Sequence, residues 1–264
     1  MASAGLSSRR ARARLDTGTT ETMTDTHFGR RRVAAGEKSG LVRDLFTRVA
    51  GDYDRMNDYM SLGAHRVWKD AAAARLRPRS GEHFLDIAGG SGDLAFRLGR
   101  VSGVRVTVAD LTPAMLERGR RRALDRGFSF EWRCADAEAL PFGDGVFDGA
   151  VCAFGLRNVT DPARALGEAL RVLRVGGRFA VLEFSRPDVP VFGGAYNLWA
   201  RRVIPALARG VGQGEDDYRY LGESIDAFAD AGGVAGMMGA AGFCAIDSWS
   251  LSLGLVGLHL GYKF

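Results

Sequence analysis

The sequence predicts an α/β fold: a doubly wound, seven-stranded sheet of five parallel strands closed by a C-terminal antiparallel hairpin. N-terminal helices precede the sheet and a helical insertion precedes the hairpin. Three observations point there. Short apolar runs alternate with segments of helical period between residues 83 and 184. A glycine turn, Gly89-Gly90-Ser91-Gly92, joins the first run directly to a helix. The last two runs are joined only by Ser252-Leu253-Gly254, too short for the crossover that parallel strands require.

The elements follow in order. Leu41, Val42, Leu45, Phe46 and Val49 recur at helical spacing, as do Val67, Trp68, Ala71, Ala72 and Leu76, so two helices precede the sheet. His83–Ala88 is the first strand, stopped by the glycines, and Leu94–Leu98 continues as helix. Arg105–Ala109 is the second strand, and Pro113 opens a helix to Arg126. Phe128–Arg133, Phe147–Phe154 and Arg178–Phe184 read as further strands. Asp161–Leu173 reads as a helix ended by Gly176-Gly177. A helix near Val234–Ala241 leads into the hairpin strands Ala245–Leu251 and Leu255–Tyr262.

A chain of 264 residues suits one α/β domain, and 46% apolar with 25% charged residues is ordinary for a protein with a core. That excludes wholesale disorder and a collagen-like repeat. The formal charge is +5, but residues 1–32 carry +4 of it, which leaves the body near neutral and gives no nucleic-acid footprint. Residues 1–40 lack an apolar period and read as a disordered basic leader before a domain spanning 41–264. Its acids, Asp16, Glu21 and Asp25, do not suit a mitochondrial transit peptide, and Met23 reads as the natural start. Cys134, Cys152 and Cys244 are widely spaced, so neither a disulfide framework nor a metal site is expected. A cytoplasmic location, at the inner membrane surface, is the expectation, with the mitochondrial matrix as the alternative. No apolar run approaches the roughly 18–20 residues of a membrane span.

The glycine turn also fits a loose dinucleotide pattern, Gly90-x-Gly92-x-x-Ala95, with Asp110 about 20 residues on. Charge separates the ligands. Asp86 and Asp93 flank the turn, and a carboxylate about 4 Å from a phosphate costs roughly 4 kcal/mol at an effective dielectric near 20. A cationic nucleoside cofactor, S-adenosylmethionine, is instead attracted. Asp86 or Asp93 suits its amino group, and Gly89, Gly90 and Gly92 suit close backbone approach. Asp110 suits the ribose, and Asp136-Ala137 the adenine amine.

Further blocks resemble the C-methyltransferase family of ubiquinone and menaquinone biosynthesis. They include Tyr53-Asp54-x-Met56-Asn57-Asp58, Ser61-Leu62-Gly63-x-His65-Arg66-x-Trp68-Lys69 and Ala137-Glu138-x-Leu140-Pro141-Phe142. More diagnostic are Phe154-Gly155-Leu156-Arg157-Asn158-Val159-Thr160-Asp161 and Tyr218-x-Tyr220-Leu221-x-Glu223-Ser224-Ile225. The resemblance implies a Rossmann-like domain that methylates a ring carbon of a prenylated quinol with S-adenosylmethionine. It implies Ser91, Asp110, Leu111, Asp136, Ala137 and Ala153 at the cofactor; Ala153 stands where some members carry serine.

A ring carbon becomes nucleophilic only when its hydroxyl is deprotonated, so the site needs a proton acceptor and a stabiliser for the phenolate. Arg157 and Asn158 are the first candidates, with an Arg157 ion pair to Glu183 or Glu223 as the structural alternative. His65 and Tyr53 are other proton handlers. Tyr218, Tyr220, Glu223 and Ser224 are expected over the substrate, and Trp199, on an apolar stripe in Ala195–Ala208, near its tail. Expected partners are the prenylated quinol, a membrane surface or other quinone-synthesis enzymes, and a second copy of the chain. The rival readings are an NAD-dependent oxidoreductase and a non-catalytic subunit of a quinone-synthesis assembly.

Overall fold

The chain begins, in this computed structural model, with a hairpin of β1 (Asp25–Phe28) and β2 (Arg31–Ala34) that runs into helix α1 (Ala35–Val49). The structure describes residues 25–51, 55, 57–58, 61–185 and 215–264, with side chains from residue 219 in the last span. Tyr53, Trp199 with its Ala195–Ala208 segment, and the Tyr218 side chain lie outside the described residues.

Residues 25–40 are therefore ordered, which corrects the expectation of a leader reaching residue 40. The hairpin carries too few apolar residues to show a period. Distant contacts hold it instead: Phe28 stacks on Tyr220 with ring centroids 4.0 Å apart, and Arg30 N donates to Glu223 Oε2 at 3.1 Å. Gly29 turns the hairpin at φ +61, directly against the Glu223 side chain.

The remaining elements follow the expected alternation. They are α2 (His65–Leu76), β3 (His83–Ile87), α3 (Asp93–Leu98), β4 (Arg105–Asp110), α4 (Pro113–Asp125), β5 (Glu131–Cys134) and β6 (Phe147–Ala153). A 3-10 turn at Leu156–Asn158 leads to α5 (Pro162–Val172), β7 (Leu173–Phe184), α6 (Glu215–Ala227), α7 (Ala231–Ala240), β8 (Cys244–Leu251) and β9 (Val256–Tyr262). The seven-stranded sheet runs β5-β4-β3-β6-β7-β9-β8. Neighbours among β3 to β7 pair parallel, and β9 pairs antiparallel with both β7 and β8.

Strand alternation divides the core into two layers. Phe84, Val106, Val108 and Leu182 face Leu76, Leu94 and Leu98 on one side; Leu85, Ile87, Ala150 and Val181 face Leu166, Ala169 and Met238 on the other. Gly176-Gly177 does not end α5, which stops at Val172. Leu173 already pairs with Phe147, and the next parallel pair is Gly149 with Arg178, so the glycines form a bulge inside β7. The order of strands reverses between β3 and β6, and open sheets bind ligands at the carboxyl ends beside such a reversal.

Candidate active site

The glycine loop leaves β3 at that reversal. Gly90 and Gly92 take φ of +56 and +83, and Gly92 is the N-cap of α3. The loop presses on its own floor: a Cβ on Gly89 would lie 2.7 Å from Asp86 Cγ and Val108 Cγ1. Only glycine permits that approach.

The acids around the loop divide by what they touch. Asp86 is 2% exposed and lies beneath the loop, where Oδ2 accepts from Ala95 N at 3.1 Å. Burial pushes its carboxyl up to about 7. Asp93 accepts from Lys69 Nζ at 2.7 Å and from Arg122 Nη2 at 2.8 Å. Burial raises its carboxyl, yet these two cations overcome that and hold it far below its ordinary range. Ser91 is buried and accepts from Arg122 Nη1. Neither Asp86 nor Asp93 lines the cavity described next, so the expectation that one of them meets a cofactor amino group is not supported by their placement.

That cavity, about 770 Å³ and partly open to solvent, lies at the carboxyl ends of β3, β4 and β6. Gly90, Asp110, Leu111, Asp136, Ala137 and Ala153 line it, as does Asn158. Gly89, Ser91 and Gly92 stand behind it and shape the loop. Asp110 Oδ2 accepts from Gly90 N at 2.8 Å and Oδ1 from Thr112 N at 2.8 Å. Burial outweighs these bonds and raises its carboxyl. Each oxygen keeps acceptor capacity for a ligand hydroxyl. Asp136 Oδ1 accepts from Glu138 N at 2.9 Å, and Glu138 Oε1 accepts from Thr160 N at 2.5 Å, which ties the loops after β5 and β6 together.

The roof is α1, through Ser39, Val42 and Phe46. Sequence reasoning recognised the helix but not its place over the site, and it placed Ser39 in the leader. The amphipathic spacing that packs Val42, Leu45 and Val49 on Tyr220 and Leu221 was visible; its partner was not.

Arg157 does not reach the cavity lining. Its Nη1 donates to Glu183 Oε1 at 2.7 Å and to Phe154 O at 2.7 Å, and its Nε donates to Ser224 Oγ at 3.4 Å. The pair is nearly sealed, with side chains 4% and 1% exposed. Arg157 is thus the ion-paired residue that the structural alternative described, with Glu183 as its partner. Asn158 Nδ2 donates to Phe154 O at 3.2 Å, while its Oδ1 accepts from Tyr220 Oη at 3.1 Å. Burial pushes the Tyr220 phenol up to about 12. Tyr220, Glu223 and Ser224 therefore bind α6 to the hairpin and to the 3-10 turn, and none of them lines the cavity. His65 is buried at the start of α2, its Nδ1 2.9 Å from Ser61 Oγ. Burial first, then Lys69, lowers it to about 4, so it is neutral at physiological pH and stands apart from the cavity.

An open sheet in this order, with a glycine loop after its first strand and carboxylates at the ends of the next two, defines a class of fold. A SAM-dependent methyltransferase from Thermotoga maritima shares it: the TM-score is 0.61 at 21% identity, covering 84% of this chain and 100% of that one. Sequence carries the assignment further. The model of the ubiE/COQ5 methyltransferase family matches residues 32–263. The ubiquinone/menaquinone biosynthesis C-methyltransferase UbiE of Paracoccus denitrificans is 49% identical over 245 residues, 90% of this chain and 97% of that protein. UbiE of Zymomonas mobilis is 46% identical over 242 residues, 91% of this chain and 100% of that protein. The chain belongs to the ubiE/COQ5 methyltransferase family.

Proposed function

We propose that the protein transfers a methyl group from S-adenosylmethionine to a ring carbon of a prenylated quinol, either 2-polyprenyl-6-methoxy-1,4-benzoquinol or demethylmenaquinol. One observation carries the cofactor class: the Gly90 amide, which in a dinucleotide site would face pyrophosphate, donates to the Asp110 carboxylate. A phosphate about 4 Å from that carboxylate would meet a repulsion of roughly 4 kcal/mol at an effective dielectric near 20. The flanking acids that first suggested this are covered or paired, so the discrimination passes to Asp110. The residues present fit the cofactor. Asp110 would hold the ribose, Asp136 and Ala137 the adenine edge, and Leu111 and Ala153 would flank it. When bound, S-adenosylmethionine supplies an electrophilic methyl on a sulfonium. The chain's own part is to seat the ring carbon in line with that methyl and to exclude water beneath α1.

The acceptor class rests on the relatives, whose names specify ubiquinone and menaquinone biosynthesis. Val42, Phe46 and Leu140 offer it an apolar wall. No helix among the described residues is long and apolar enough to cross a membrane. A prenylated acceptor is held in the lipid, so the protein works at the inner membrane surface. Calorimetric titration with S-adenosylmethionine and NADH tests the cofactor, and binding of NADH alone would sink it. Asp110→Ala removes two charge-assisted contacts and should weaken S-adenosylmethionine about 100-fold with an unchanged far-UV spectrum. Mass spectrometry of a quinol incubated with enzyme and cofactor, read for one added methyl, tests the acceptor.

A further inference from the structure

The near-neutral body conceals an asymmetry between the two faces of the sheet. Helices α2, α3 and α4 cover one face through Leu76, Leu94, Leu98 and Leu116. They hold eight cations against four acids. The turns that follow them add Arg77, Arg79, Arg100 and Arg126 against one acid, Glu82, which Arg178 holds at 2.7 Å. On the opposite face, α5 and α7 with their N-caps Asp161 and Asp230 hold two cations against three acids.

Ion pairs between the helices use two of the four acids and lock the layer together. Asp93 on α3 takes Lys69 from α2 and Arg122 from α4, and Asp70 on α2 takes Arg97 from α3. Arg66, Arg120 and Arg121 stay exposed on the outside. Glu117 lies 3.8 and 3.7 Å from the last two, and exposed pairs at that separation are weak. Two apolar side chains stand among these arginines. Val67, beside Arg66, is 68% exposed, and Leu124, one turn beyond Arg120 and Arg121, is 77% exposed. An anionic bilayer suits both kinds of side chain: lipid phosphates take the guanidiniums, and the apolar groups enter the acyl boundary. A nucleic-acid backbone takes the same cations but gives Val67 and Leu124 no place. The face also borders the cavity. Met115 of α4 lines it, and the Trp68 ring of α2 lies 6.2 Å from that of Phe154 in its wall.

We propose that the face formed by α2, α3 and α4 docks on an anionic lipid bilayer and so brings the cavity to a lipid-held acceptor; the delivery rests on the methylation reading above. The arginines draw the protein to the surface, an attraction that salt screens. Val67 and Leu124 then hold it there by burying apolar surface, which salt does not weaken. The face of α5 and α7, with no excess of cations, turns to solvent.

The test is flotation with vesicles of phosphatidylcholine alone, or with about one third phosphatidylglycerol. Wild type should float with the anionic vesicles only. Arg120→Ser with Arg121→Ser should weaken that binding about 25-fold, at about fivefold per arginine. Val67→Ser with Leu124→Ser should weaken it about tenfold at unchanged charge. Arg164→Ser with Val175→Ser removes an equally exposed pair from elsewhere and should change nothing. All three double variants should methylate a short-chain quinol in free solution at the wild-type rate. The first two should lose turnover of a long-chain quinol held in anionic vesicles. Equal binding to neutral vesicles, or an equal loss in the third variant, overturns the proposal. Tighter binding to random duplex DNA at the same salt also overturns it and makes the face a nucleic-acid surface. A wild type that methylates the short-chain quinol yet floats with neither vesicle overturns the docking alone. One that methylates neither quinol overturns the methylation reading, and delivery of the cavity to its acceptor with it.

Discussion

The floor and the roof of the cavity are built by different means. On the floor, Asp110 is fixed by amides two and twenty residues away, and Asp136 by the amide of Glu138. Strands β3, β4 and β6 beneath it are buried on both faces along most of their length. The roof is held by pairs that are far apart in the chain. Phe28 stacks on Tyr220, Arg30 reaches Glu223 across 193 positions, and Tyr220 bonds to Asn158. Backbone geometry thus sets the floor rigidly, whereas the roof depends on a few side-chain contacts that can part together. A cavity roofed by a helix needs such a division, since the ligand must enter before it can be enclosed.

The largest expected effect lies where the two regions meet. Arg157 leaves the end of β6 and touches both Glu183 on β7 and Ser224 on α6. Arg157→Met strands a buried carboxylate and should cost about 3–5 kcal/mol in urea unfolding. Adding Glu183→Gln should recover most of that loss, because the desolvated charge is then gone. If the single variant were as stable as wild type, the seam between roof and floor would not depend on this pair.

The floor has its own signature in pH. Asp86 titrates at about 7 in the folded protein against 3.8 for the ordinary carboxyl. Between those values the folded state binds more protons than the unfolded one, so this residue makes stability fall as pH rises from about 4 to about 7, with no further change above. The ceiling is about 4 kcal/mol at 1.36 kcal/mol per unit. Asp86→Asn keeps an acceptor for Ala95 N and removes the titration. The variant should gain stability over wild type at mildly alkaline pH and show little difference near pH 4. Parallel pH–stability curves would mean that Asp86 is ionised in the fold.

This contrast also explains which parts were legible in the sequence. The glycine loop and Asp110 are legible because strand, turn and acid lie within about one βαβ unit. The parallel strands and the closing hairpin follow from the alternation and the three-residue join, whereas their order in the sheet does not, since the same alternation suits more than one doubly wound order. The partner of Arg157 was not readable, since Glu183 and Glu223 both lie within a plausible fold of it and register decides between them. Asp93 misled because Lys69 and Arg122, which neutralise it, come from helices on either side. The hairpin and the role of α1 were hidden for a shared reason. Ten residues with one buried apolar side chain, Val33, show no period, and their partners lie near residue 220.

The smallest effect separates roof from floor most directly. Tyr220→Phe keeps the ring that stacks on Phe28 and removes only the hydroxyl bonded to Asn158 Oδ1. The net loss should be about 1 kcal/mol, since one neutral hydrogen bond is removed. If the roof opens as a unit, that loss appears as faster amide exchange in α1 and α6, with β3 and β4 unchanged. Equal acceleration in β3 and β4 would show that roof and floor unfold together, and the cavity would then have no independently opening side. Acceleration confined to α6 would instead make α1 part of the rigid frame, with entry to the cavity beside it rather than beneath it.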